Sequence, residues 1–256
     1  MNHITNVIEK LTTVTDKKQQ ESLLQEINKL VLTEYMIEID HDLVIYPIEV
    51  EAYYYHQNNF PDTCVHKFEL QKNRYGKLYF HRASNKEDAA FLFDMGGIDV
   101  CLSNSGDFYF GLLIRGAWIN QENEPICTPG VLTRKVVQDI CKDNTLEKIS
   151  EKEAIIIRQY EAKDSIIKPA HSDPRDKDSI LFHSTRFGID PQNHPEYAPY
   201  KLRSLIELSA PKHPFRAKEK VVLDYMIEHK LEPTAENVRK LMGSNSNWVL
   251  NQLQNK

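Results

Sequence analysis

Arg115 stands inside an otherwise apolar run, Phe108 to Trp118, directly after Gly111 to Ile114. A run of this kind reads as a strand, and a guanidinium within it needs a carboxylate partner, because stripping one member from a buried ion pair costs about 3 to 5 kcal/mol. The requirement points to a second strand. From Leu43 to Tyr55 the residues are β-branched and aromatic, and alternation puts Val44, Tyr46, Ile48, Val50 and Ala52 on one face and Ile45, Pro47, Glu49, Glu51 and Tyr53 on the other. Glu49 and Glu51 then share a face, roughly 6 to 7 Å apart along the strand, and are the expected mates of Arg115. Taken alone, the Glu49 and Glu51 face also fits a solvated strand. Paired with Arg115, it fits a structural ion bridge as well as a carboxylate fixed for general-base work.

Further strand-like runs occur at Lys77 to Arg82, Ile98 to Leu102 and Leu202 to Leu208, so the middle of the chain is β-rich. Helical spacing flanks it. Ile4, Val7, Ile8 and Leu11, then Leu23, Leu24, Ile27, Leu30 and Val31, predict two N-terminal helices on either side of Thr15 to Gln20. Val136, Val137 and Ile140 fit a helical turn, and Ser150 with Glu153 forms a capping box before Ala154 to Tyr160. Residues 165 to 179 and Phe187 to Pro199 read as irregular connections. After Ala217, Val221, Val222, Tyr225 and Met226 mark one helix, Thr234 to Leu241 a second that Gly243 ends, and Asn247 to Leu253 a third. Three short helices with a glycine-containing turn are compatible with a helix-turn-helix and equally with a packing appendage. These features divide the chain into N-terminal helices at 1–35, a main domain at 36–213 and a helical C-terminal extension at 214–256.

At 256 residues the chain buries enough apolar surface to fold without staples. Cys64, Cys101, Cys127 and Cys141 show no metal-ligand spacing and are expected to be reduced. There is no basic segment leading into an apolar stretch at the N-terminus and no run of about 18 apolar residues, so a soluble protein of the cytoplasm is expected. The net charge of -5 is uneven: residues 196–256 carry a local +3, which leaves -8 for residues 1–195. A basic face near the C-terminus therefore remains compatible with nucleic-acid binding.

Several segments, in order, carry a resemblance. Ile48-Glu49-Val50-Glu51-Ala52-Tyr53 is similar to the hydrophobic, Glu-x-Glu-Ala-Tyr strand of the alkyladenine (methylpurine, 3-methyladenine) DNA glycosylase family. Asp62-Thr63-Cys64-Val65-His66 resembles the Asp-x-x-x-His step that follows, and Gly76 to His81 the Gly-x-Leu-Tyr-Val-Tyr strand. Ile98 to Ser103 resembles the strand ending in Cys-Leu-Asn, and Leu112 to Ala117 the Leu-Leu-Arg-Ala strand. Arg186-Phe187-Gly188-Ile189 and Lys201-Leu202-Arg203 are similar to the closing Arg-x-Gly and Pro-Leu-Arg-Phe elements. The match spans roughly residues 43 to 208.

The resemblance implies an α+β fold, a single domain with a curved antiparallel β core surrounded by helices, to which the short helical C-terminal extension is added. It implies hydrolysis of the N-glycosidic bond of a flipped alkylated or deaminated purine, as in base-excision repair of damaged DNA. Glu51 would activate water, Arg115 would orient it, and Tyr53, His66 and His81 would wall the extruded base. Ser103 stands where the family has a pocket asparagine, and His81 where it has a tyrosine. Arg186, Lys201 and Arg203 would contact DNA, with Arg82 a further electrostatic contact. The implied partner is a damaged duplex bound by a monomer, with no metal, cofactor or membrane. The family's basic Thr-Pro-Arg-Asn loop is missing after His66, and residues 82–94 stand as an insertion where the family carries its duplex-wedging tyrosine. A noncatalytic nucleic-acid-binding relative and a β-rich interaction protein are the competing readings.

Overall fold

The structure is a computed structural model that describes residues 3–40, 43–67, 69–83, 92, 96–120, 124–141, 167–169, 179–207 and 215–254. Its organising element is β2 (Leu43–His56), whose fourteen residues are buried along most of their length. Along one edge β2 pairs antiparallel with β5 (Phe108–Ile119) from Ile45 to His56. Its other edge is shared by β1 (Tyr35–Asp40) near the start and by β8 (Arg203–Glu207) in the middle.

The sheet extends from β5 through β4 (Ile98–Cys101) to β3 (Leu78–Phe80), and from β1 to β6 (Ile167–Pro169). β7 (Ile180–Ser184) pairs with β8. Every pairing among these eight strands is antiparallel, so the described chain is α+β around an open antiparallel sheet.

The β2–β5 pairing is irregular at one place. Pro47 faces Ala117 and Glu49 faces Gly116, so Ile48 is an extra residue on β2; Glu49 and Val50 then face Gly116 and Ile114, so Arg115 is an extra residue on β5. Two bulges thus lie side by side where the charged residues sit.

The helices cover this sheet with the stripes expected from their spacing. α1 (His3–Thr13) buries Ile4, Val7, Ile8 and Leu11. α2 (Lys17–Thr33) is capped by Asp16, whose carboxylate accepts the Gln19 N–H, and packs on β2. Its buried Asn28 donates to the Leu202 carbonyl and to Ser204 Oγ, which pins β8 under the helix. α3 (Pro129–Cys141) packs on β5 and buries Val136 and Val137. The C-terminal α4 (Lys218–Glu228), α5 (Ala235–Met242) and α6 (Asn247–Gln254) start and stop within a residue or two of the expected positions.

Three strands were not expected. β1 follows α2 after a single residue, with side chains buried on both faces, so the period-2 signal is lost. β7 is likewise short, and its identity comes from pairing with β8. β6 falls inside the expected 165–179 connection and is a three-residue edge strand tolerating Pro169. The capping box at Ser150 and Glu153 lies outside the described residues.

Candidate functional site

The sequence places two carboxylates on β2, and the fold places two guanidiniums against them from the strands on either side. Glu51 faces Leu113 on β5 and Arg203 on β8. Arg115 donates from Nε to Glu49 Oε1 at 3.0 Å and from Nη1 to Glu51 Oε2 at 3.3 Å. Arg203 donates from Nε to the same Glu49 oxygen at 2.7 Å and stands 4.0 Å from Glu51 Oε1. Glu49, Glu51, Arg115 and Arg203 are all buried. The solvated-face reading of β2 is therefore wrong, because the Arg115 and Arg203 side chains and the chain at Phe187 close over the two glutamates.

Glu51 is also the best tied of the four. Its Oε1 accepts the Phe187 backbone N–H at 2.7 Å and its Oε2 accepts the Tyr53 hydroxyl at 3.0 Å. Burial pushes the Glu51 carboxyl above its ordinary value, against the opposing pull of Arg115, the Phe187 N–H and Arg203. Arg115 shows the reverse balance: burial pulls it down, yet Glu51 and Glu49 hold it above the usual arginine value. Burial beside Glu51 raises the Tyr53 hydroxyl well above its ordinary range, so it stays a donor.

Two clefts flank this quartet. One, of about 340 Å³, is lined by His81, Gly97, Leu113, Arg115, Pro129 at the start of α3, and Arg216. The other, of about 500 Å³, is lined by Thr185, Phe187, Gly188, Pro191, Arg203 and Lys220. Glu51 is buried and lines neither of these clefts. The Phe187 ring stands among three guanidinium carbons, 5.1 Å from Arg115, 5.7 Å from Arg216 and 5.9 Å from Arg203. These are cation–π distances.

His81 and His66 approach each other at 6.1 Å between ring centroids, His66 exposed and His81 half-buried. His81 Nε2 meets Asp99 Oδ1 at 2.9 Å, and Gln71 Nε2 donates to Asp99 Oδ2 at 2.9 Å. Burial pulls the His81 imidazolium down, but the Asp99 carboxylate more than offsets it and holds the group above its ordinary value. Asp99 faces Leu113 of β5, and its carboxylate lies over Gly111. A Cβ at Gly111 would come within 2.5 Å of Asp99 Oδ2, so only glycine leaves this carboxylate its place.

No family model and no curated protein matches this chain. What the site is rests on its own geometry, and that geometry revises several expectations. Ser103 is buried, and its hydroxyl donates to the Phe108 carbonyl, closing the β4–β5 connection; it lines neither cleft. Arg186 is fully buried against Asp62 at 2.7 Å, with its guanidinium 4.8 Å over the Tyr53 ring. Arg203 is spent on Glu49. Both arginines are therefore buried struts at the edge of the larger cleft, their guanidiniums engaged by Asp62 and Glu49. Lys201 is half-exposed but bound to Glu228 at 2.8 Å. Arg82 is half-buried at the end of the β3 segment.

Tyr53 meets Glu51 while His66 meets His81, so the expected walls form two separate contacts. Phe187, Asp99 and Arg216 were not singled out from the sequence. Asp99 had a signal of the same kind as Arg115: a charge inside the apolar run Ile98 to Leu102.

Proposed function

We propose that the chain is a DNA glycosylase that hydrolyses the N-glycosidic bond of a flipped alkylated or deaminated purine, with Glu51 as the base and Arg115 as its positioning partner. The observation that carries the reading is that a buried carboxylate with a raised pKa is held by a guanidinium whose other side opens on a cleft. A general base works best when its pKa approaches the working pH, and burial moves Glu51 in that direction.

A purine inside the duplex stack hides its sugar carbon from attack, so the nucleotide must leave the stack, at a cost of a few kcal/mol. In this scheme the sugar of the extruded nucleotide sits at the Arg115 side of the smaller cleft. Glu51 takes a proton from water, the water oxygen bonds to the anomeric carbon, and the base departs with the electron pair of the broken C–N bond and picks up a proton. His81 and His66 flank the base. Damaged purines are good leaving groups, which is why a single carboxylate suffices.

A second reading has its own support. Tyr53, Arg115 and Phe187 all donate to Glu51, and Glu51 opens on neither cleft. Such a carboxylate also suits a noncatalytic nucleic-acid-binding protein that keeps the quartet as structure.

One experiment separates them. Single-turnover release of base is followed from duplexes carrying hypoxanthine, ethenoadenine or 3-methyladenine, with wild type and Glu51→Gln side by side. Release that disappears in the variant supports hydrolysis, and absence of release from every duplex by folded wild type leaves the noncatalytic reading.

A further inference from the structure

The C-terminal helices form a unit that the hydrolytic reading does not use. α4, α5 and α6 each touch the other two and close on Val221, Val222, Met226, Val238, Leu241 and Val249, all buried. Four residues, Gly243 to Ser246, join α5 to α6. Gly243 takes a left-handed φ of 82° and donates its N–H to the Arg239 carbonyl at 2.8 Å, which stops α5. Ser246 is buried, accepts the Val249 N–H at the start of α6, and donates to Glu219 of α4. Two short helices joined by a fixed four-residue turn and backed by a third have the layout of a helix-turn-helix.

The surface of α6 indicates the partner. Its exposed side chains are Asn247, Trp248, Asn251, Gln252 and Gln254, and no charged residue occurs from Gly243 to Gln254. A helix face that serves only to be solvated ordinarily carries Lys and Glu. Asn and Gln are the side chains that pair bidentately with the N6/N7 edge of adenine in the major groove. Trp248, in the first turn, leaves 44% of its surface exposed. Arg239 and Lys240 stand exposed in the last turn of α5, and the Arg239 guanidinium bonds Asn245 in the turn. Of the head's carboxylates, Glu232 and Glu236 lie at the opposite end of α5, Glu228 is paired with Lys201 and Glu219 accepts the Ser246 hydroxyl, while Asp224 lies on α4. Positive charge beside an uncharged amide face is the complement of a groove between two phosphate backbones. The helix dipole alone accounts for two cations at the end of α5, but not for the bare amide face of α6.

We propose that residues 218–254 are a DNA-reading head that lays α6 in the major groove of duplex DNA, with Asn251 and Gln252 on base edges and Arg239 and Lys240 on phosphates. The head is firmly seated. Tyr225 of α4 meets Phe182 of β7 edge-on at 4.8 Å, and Glu228 holds Lys201. A duplex on α6 is therefore held at a fixed attitude to the core. This goes beyond base hydrolysis and does not depend on it.

The test uses the full-length protein and a pool of undamaged duplexes with randomised centres, from which bound sequences are recovered and read. Wild type and Glu51→Gln should enrich the same motif of several base pairs. The double variant Asn251→Ala and Gln252→Ala, with unchanged circular dichroism, should lose that motif and bind it about tenfold or more weakly. The emission of exposed Trp248, one of two tryptophans in the chain, should shift when the selected duplex is added. A pool with no enriched motif, a motif that survives the double variant, or unchanged Trp248 emission each overturns the proposal. Because the pool carries no damaged base, none of these outcomes bears on hydrolysis at Glu51.

Discussion

The Phe187 backbone N–H donates to Glu51 Oε1 at 2.7 Å across 136 residues of sequence, which fixes the chain after β7 over the middle of β2. The next residue, Gly188, has a φ of +81°, and a Cβ added there would meet nothing within 4 Å. Gly188→Ala therefore has space but the wrong backbone, and is expected to cost about 1 kcal/mol. Gly188→Asn, which tolerates the left-handed region better, should recover part of it. Thermal denaturation of the two variants checks this, and equal losses would show that backbone strain is not the cause.

Arg115→Ala and Glu51→Gln should differ in kind. Removing the guanidinium strands two buried carboxylates beside Arg203 alone, at an expected cost of about 3 to 5 kcal/mol. Glu51→Gln keeps an acceptor for the Phe187 N–H and removes a charge that burial penalises. The sign of the pH effect follows from the raised carboxyl. The unfolded chain loses this proton near 4.5 and the folded chain only later, so wild type loses stability as pH rises from 4.5 through the raised value. Glu51→Gln should lack that loss. Urea titrations at several pH values read both effects.

His183 supplies the opposite sign. Burial lowers its imidazole from 6.5 to about 4, and its Nδ1 lies 2.8 Å from Ser204 Oγ. The unfolded chain takes up a proton below 6.5 while the folded chain resists until about 4, so stability falls as pH drops through this window. His183→Gln should flatten that limb of the stability curve.

Gly111→Ala should push Asp99 away from His81, at a cost of about 1 to 3 kcal/mol for the overpacked contact. Asp99→Asn removes the same support without crowding. In both variants the His81 titration, followed by NMR, should move down from its wild-type position, because the carboxylate holding the imidazolium is displaced or lost. An unmoved titration would mean that Asp99 is not what sustains it.

Much of the sheet was legible because β2 and β5 carry long patterns, and the pairing of Arg115 with Glu49 and Glu51 followed from the cost of a lone buried charge. The same cost was not applied to Arg186 and Arg203, which the resemblance assigned to DNA. Their partners are distant in sequence, Asp62 at a separation of 124 residues and Glu49 at 154, and only the fold reveals them. Ser103 failed for a related reason: a hydroxyl satisfied by a local carbonyl leaves no trace in spacing. Phe187 was missed because it sits in an irregular stretch, where periodicity says nothing about which side chain faces the site.

Ile48 and Arg115 can be regarded as two insertions that cancel. Each adds one residue to its own strand, and from Val50 and Ile114 onward the partners are the same as if neither were present. Excising either residue alone would throw one strand a step out of phase with the other, exchanging the side chains of its two buried faces. Excising both would restore the phase and leave an unbroken ladder, but one in which Arg203 alone faces the two glutamates. The irregularity on β5 and the guanidinium are thus carried by one residue, so a deletion that straightens the sheet also removes the cation.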